Sequence, residues 1–187
     1  ALVRNPNIYL MDEPLSSLDA KLREELRIEL KKIQKDLNAT ILYVTHDHVE
    51  ATTMADRIGV LKDGVLSQVG TPEEIYDNPN SIYVANRLGS PKINIFDLNK
   101  TKIPSKNKAT HAGIRPEDIS ITNKGNYDVY IETVELLGAE TVISFKSDNV
   151  NGMLLTQTSD TFEEGKKIKI ALNNKKMLYF DNNGMRI

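Results

Sequence analysis

The stretch Ile8-Tyr9-Leu10-Met11-Asp12-Glu13-Pro14 sets four unbroken apolar residues before two adjacent carboxylates. Such a run predicts a short strand covered on both faces, as in a parallel sheet. Asp19 stands where it can cap a helix running to about Asn38, with Leu22, Leu26, Leu30, Ile33 and Leu37 as one apolar stripe at spacings of three and four. Residues 39–45 form a second buried strand that closes on His46, and Asp47 is placed to cap a short helix through Ala55. The order strand, helix, strand, helix is that of an α/β domain.

Working outward, residues 57–61 and 65–69 flank Lys62-Asp63-Gly64, a strong hairpin signal. Thr71-Pro72-Glu73-Glu74 opens a helix with proline at its first position, and residues 81–88 predict another. The character changes at Gly89-Ser90-Pro91. Beyond it Val129, Ile131 and Thr133 alternate with polar neighbours, as do Ile168, Ile170 and Leu172, and Gly/Asn clusters punctuate the segments. Short strands separated by turns predict a small all-β sandwich or barrel, and we place the boundary between the domains at about residue 90.

Composition narrows the functional classes. The 187 residues contain no cysteine, which removes disulfides and Cys-based metal sites. No apolar run reaches the ~20 residues of a membrane helix, so any connection to a membrane goes through a partner. A net charge of −2, with only a slight basic surplus after residue 90, argues against nucleic acid. Phe96, Tyr127, Tyr130, Phe145, Phe162, Tyr179 and Phe180 mostly alternate with polar residues and read as core rather than as a stacking platform. The opening Ala1-Leu2-Val3-Arg4-Asn5-Pro6 reads like the tail of a helix, and we expect it to be a cut inside a larger protein. Lost neighbours would leave apolar surface around Ile8, Leu10, Ile41 and Tyr43.

The chemistry concentrates at the two strand ends. Ligands of open α/β sheets bind just outside the carboxyl ends of the strands. Of two carboxylates there, one can hold Mg²⁺ and the other can orient water for attack on a phosphate; taken alone, Asp12 and Glu13 read more readily as acids that end a strand and solvate a turn. His46 occupies the same position on the next strand, where it can donate to developing charge or simply lie in a capping turn. His48 and His111 carry no such expectation, and His46 and His48 lack the further ligands that a metal pair would need.

Together, YLMDEPLSSLDAKLR and ILYVTHDHVEATTMADRIGVLKDGVLSQVGTPEEIYDNP closely resemble the ATPase subunits of ABC importers, nearest the maltose-type subfamily that takes up carbohydrates. The resemblance implies that LMDEP is the Walker B motif, with Asp12 helping to hold Mg²⁺, mainly through water, and Glu13 polarising the attacking water. It implies that Ser17-Leu18-Asp19 is the D-loop at the ATP sandwich, so that Asp19 belongs to the nucleotide site, and that His46 is the switch histidine. GSPK at 89–92 and GIRPED at 113–118 look like that subfamily's accessory OB-like domain. The fold expected is therefore a partial P-loop NTPase domain over 1–90, lacking its N-terminal half, and an OB-like regulatory β domain over 91–187. The implied setting is cytoplasmic, peripheral on the inner face of the membrane, as a homodimer with ATP, transmembrane permease subunits and a solute-binding protein.

Two departures matter. No GxxxxGK loop, Q-loop or LSGGQ occurs in these residues, so ATP hydrolysis is not expected of them alone. His48 stands where the family usually has Gln. A competing reading makes residues 91–187 the working part, a regulatory module binding a small ligand or a regulatory protein. The transported solute is not legible; sugar follows only from the resemblance.

Overall fold

The computed structural model describes residues 8–106, 108–148, 150–157 and 161–187. The chain divides into two compact units, the first running to Ile75 and the second from Tyr76 to Ile187.

In the first unit, β1 (Ile8–Asp12) and β2 (Thr40–Val44) pair in parallel, joined by helix α1 (Ala20–Leu37). Asp19 caps α1 by accepting the Leu22 N–H at 3.0 Å, and Asn38 ends it in the left-handed conformation (φ 47°). Helix α2 (His48–Met54) follows, capped by Asp47, and then an antiparallel hairpin of β3 (Ile58–Lys62) and β4 (Val65–Gly70). Asp63 (φ 51°) and Gly64 (φ 78°) at its tip carry the positive dihedrals that a two-residue hairpin turn requires.

The strands are not covered on both faces. The register sets Ile8, Leu10 and Asp12 beside Thr40, Leu42 and Val44 on one face, where Leu10 is 76% exposed and Ile8, Leu42 and Val44 are exposed too. Tyr9, Ile41 and Tyr43 point the other way, and Tyr43 there meets Glu50 of α2. The apolar surface expected around Ile41 and Tyr43 therefore lies at Leu42 and Val44, because side chains alternate along a strand.

Helix α3 (Pro72–Asp77) begins in a capping box: Glu74 N–H donates to Thr71 Oγ1, and Thr71 N–H to Glu74 Oε2. The expected helix over 81–88 is only the single turn α4 (Ile82–Ala85). The Ala85 and Leu88 carbonyls, which a longer helix could use, instead accept from Arg115.

The second unit is built from β5 (Asn94–Asp97), β6 (His111–Ile114), a 3₁₀ turn at Pro116–Asp118, β7 (Ile119–Ile121), β8 (Tyr127–Leu136), β9 (Glu140–Lys146), β10 (Asn151–Gln157), β11 (Lys167–Leu172) and β12 (Leu178–Phe180). They form sheets ordered β10-β9-β8-β11-β7 and β12-β6-β5 around one core that includes Phe96, Ile114, Val129, Ile143, Phe145 and Ile170. This is a β-rich, nearly closed barrel of OB-like kind. Val129 and Ile131 point inward as their alternation predicts, but Thr133 is exposed. A bulge at Glu132 shifts the register against β9, so that Val134, not Thr133, returns toward the core. Of the seven aromatics, Phe96, Phe145 and Phe180 are buried, Tyr127, Phe162 and Tyr179 pack against the core, and Tyr130 is exposed.

Candidate functional site

The register of β1 on β2 brings two loops side by side. Asp12 lies opposite Val44, and the next N–H, that of Glu13, still donates to the Val44 carbonyl at 2.8 Å. The chain then leaves the sheet at Glu13, whose φ of 42° is a left-handed conformation that costs a residue with a side chain ~1 kcal/mol. Ser16 closes the turn, its hydroxyl donating to the Glu13 carbonyl at 2.9 Å.

At this edge Glu13 Oε1 lies 3.1 Å from His46 Nδ1, with both side chains largely open to solvent. The residues singled out on two separate strands thus meet. Asp12 is exposed at the end of β1 beside them. Asp19 does not join them; its carboxylate is spent on the N-terminus of α1. Among the described residues no group of three His, Cys, Asp or Glu is gathered to hold a metal by itself. A single exposed carboxylate nevertheless suits Mg²⁺, which keeps several waters and takes other ligands from phosphate oxygens.

Several neighbours escaped the sequence reading. Arg23, on the first turn of α1, donates to the Leu15 (3.3 Å) and Leu18 (2.8 Å) carbonyls in the loop after Glu13, and its other nitrogen lies 3.8 Å from Asp47, beside His46. Glu50 is 3% exposed, and one of its oxygens accepts from both Thr45 Oγ1 (2.7 Å) and Tyr43 Oη (2.9 Å). Burial, and then the bond to Glu50, push the Tyr43 phenol well above its ordinary range. Arg23 and Tyr43 sit on a helix and a strand, and Thr45 just past the end of that strand, with no pattern of their own. Only the fixed offset of Glu50 from Thr45 across the Asp47 cap could have drawn attention to this cluster.

In the second unit, Arg115 of the GIRPED segment is buried; its guanidinium stacks 3.8 Å from the Tyr76 ring centroid and donates to the Tyr76, Ala85 and Leu88 carbonyls. Tyr76 in turn donates to Glu117. An open groove of about 410 Å³ is lined by Thr122, Asp128, Lys167 and Lys169, with Lys167 and Asp128 paired at 3.2 Å.

Similarity to known proteins points the same way: the chain is homologous to the ATP-binding subunits of ABC importers. The TOBE domain family matches residues 112–180. A trehalose/maltose import ATP-binding protein of Thermococcus litoralis is 37% identical over 212 residues, covering 97% of this chain and 57% of that protein. An sn-glycerol-3-phosphate import ATP-binding protein of Psychromonas ingrahamii is 45% identical over 162 residues (79% of this chain, 43% of the relative). Its counterpart in Brucella abortus biovar 1 is 46% identical over 157 residues (76% and 45%). The chain spans about half the length of the curated relatives it matches. No helix among the described residues is long and apolar enough to cross a membrane.

Proposed function

We propose that these residues form the hydrolytic edge and the accessory domain of an ATPase subunit that drives a solute importer. The observation that carries the reading is the 3.1 Å approach of Glu13 Oε1 to His46 Nδ1 at the carboxyl ends of adjacent parallel strands. In this reading residues 1–90 belong to a P-loop NTPase domain and residues 91–187 to an OB-like accessory domain. Glu13 orients and polarises the water that attacks the γ-phosphate of ATP, and His46 hydrogen-bonds to the charge that develops on the phosphoryl group. Asp12 would hold Mg²⁺, chiefly through water, and the bound ion neutralises phosphate charge. Asp19 orders the loop between Glu13 and α1, a loop that faces the second subunit when two copies close on ATP. The subunit works on the cytoplasmic face of the membrane with permease subunits and a solute-binding protein, and the solute is a sugar or a polyol phosphate. Lacking a GxxxxGK loop, the 187 residues alone have no backbone cradle for phosphates and should not turn over ATP.

The test is made in the full-length protein. Glu13→Gln should bind ATP yet lose at least ~100-fold in turnover, and His46→Ala should lose comparably. His48→Ala should remain near the parent. Equal damage from His48→Ala and His46→Ala would overturn the assignment. The alternative, a ligand-binding regulatory module, has less behind it: the groove on the barrel is open, and Lys167 in it is already paired with Asp128.

A further inference from the structure

Resting on that reading of Glu13 and His46, we infer that Thr45 and the buried Glu50 are positioning residues that aim the His46 ring at Glu13. The geometry is a chain of two hydrogen bonds. Glu50 Oε2 accepts from Thr45 Oγ1 at 2.7 Å, and Thr45 Oγ1 accepts from the Asp47 N–H at 3.0 Å. The Thr45 side chain therefore bridges across His46 from the residue before it to the residue after it, a hydroxyl-closed turn with His46 at its apex. Asp47, the far end of that bridge, is fixed in its own right: its Oδ1 accepts from the Val49 (2.7 Å) and Glu50 (3.2 Å) N–H groups.

His46 itself needs such support. Its side chain is 73% exposed, and the polar side-chain partner found for it among the described residues is Glu13. An exposed side-chain contact stabilises by less than ~1 kcal/mol even when both groups are charged, and cannot hold two side chains in one geometry by itself. The backbone on either side of His46 must supply the order.

Glu50 is the anchor because its position is nearly invariant to solvent. At 3% exposure, a carboxylate with two hydroxyl donors, from Tyr43 and Thr45, has few ways to rearrange. Because the Thr45 hydroxyl gives its hydrogen to the buried Glu50 Oε2, its lone pairs are left to accept the Asp47 N–H. A carboxylate is a better acceptor for such donors than a neutral carbonyl. A buried carboxyl group is costly unless hydrogen-bonded, and Oε2 of Glu50 has two donors.

Thr45→Val keeps the shape and removes the hydroxyl; Thr45→Ser keeps the hydroxyl and removes the methyl. Both are made in the full-length protein, with Glu50→Gln as the independent variant, and kcat and KM for ATP are measured for each. Thr45→Val should lower kcat about tenfold or more, the scale of a misplaced catalytic group, while KM for ATP changes little. Thr45→Ser should restore most of the loss. Glu50→Gln retains one acceptor oxygen for both hydroxyls and should fall between the two. A role in packing alone would spare kcat in every correctly folded variant and would not distinguish Ser from Val. Parent-like kcat in Thr45→Val with unchanged KM overturns the inference; if Thr45→Val does not fold, parent-like kcat in Glu50→Gln does so. Glu13→Gln and His46→Ala run alongside separate this failure from that of the underlying reading: should those two also keep parent turnover, the hydrolytic assignment falls first.

Discussion

The Asn94 carboxamide binds both backbone groups of Met153, accepting its N–H on Oδ1 at 2.7 Å and donating Nδ2–H to its carbonyl at 2.8 Å. One side chain thereby does for the edge of β10 what a residue of a neighbouring strand would do, and it ties the three-stranded sheet to the five-stranded one. Nδ2 also reaches the Ile114 carbonyl at 3.2 Å. Asn94→Ala should cost about 3 kcal/mol, since it strands buried backbone groups. Asn94→Asp should cost more at neutral pH, because it sets a carboxylate against two carbonyls. Urea denaturation followed by circular dichroism checks the order.

The limits of the second folding unit can be tested by truncation. Arg115 takes its three acceptors from Tyr76, Ala85 and Leu88, at 2.8, 3.1 and 2.7 Å. Residues 80–82 also bond to residues 184–186, through Ile82 N–H to Gly184 and Arg186 N–H to Asn80. A piece spanning 76–187 should unfold cooperatively. One beginning at residue 91 should be weaker by about 3 kcal/mol or more, because it loses both the acceptors of Arg115 and the packing of Ala85 and Ile82 against Ile93, Leu178 and Phe180. Equal midpoints for the two would show that Arg115 finds other acceptors.

The Asp47 carboxyl is held below its ordinary range: burial opposes ionisation, but the Glu50 and Val49 N–H groups, with His48 and Arg23, outweigh it. A depressed folded value contributes stability that is complete above the unfolded value of about 3.9 and is lost as pH falls through the folded one. Asp47→Asn should therefore be less stable than the parent at neutral pH and match it in strong acid. Thermal midpoints of the full-length pair across pH 2–7 (roughly the span of a carboxyl titration) would show the gap closing downward; a gap that widened in acid would contradict the assignment.

Glu13 offers a separation of stability from activity. Its φ of 42° suits glycine. Glu13→Gly should leave the protein as stable or more stable by up to about 1 kcal/mol, read as an equal or slightly higher thermal midpoint, while turnover in the full-length protein collapses. A variant both inactive and clearly destabilised would mean that the side chain holds the loop.

Much of the first unit could be read in the sequence because its signals are local. Asp19 and Asp47 cap the helices that follow them, and Asp63-Gly64 turns the hairpin it announces. That Glu13 and His46 stand at the carboxyl ends of two strands was legible, but not that they touch, since contact depends on the register of strands far apart in the chain. Coverage of those strands was misread because an apolar run specifies that a strand can be buried, not which face has a neighbour. Thr133 failed for a different reason: a bulge adds one residue, and a period-two pattern carries no warning of it. Arg115 and Asn94 stayed silent because their acceptors are backbone carbonyls, whose positions no side-chain pattern encodes.

Gly152 bears on how this barrel can change over generations. A Cβ there would stand 2.3 Å from Asn94 Oδ1. No side chain at 152 is compatible with the amide where it lies, so the two positions constrain each other's mutational paths. A lineage in which 152 gains a side chain must first surrender the amide at 94 and cross a less stable ancestor. Among related sequences the pair should therefore be inherited together or replaced together, and intermediates holding one without the other should be scarce.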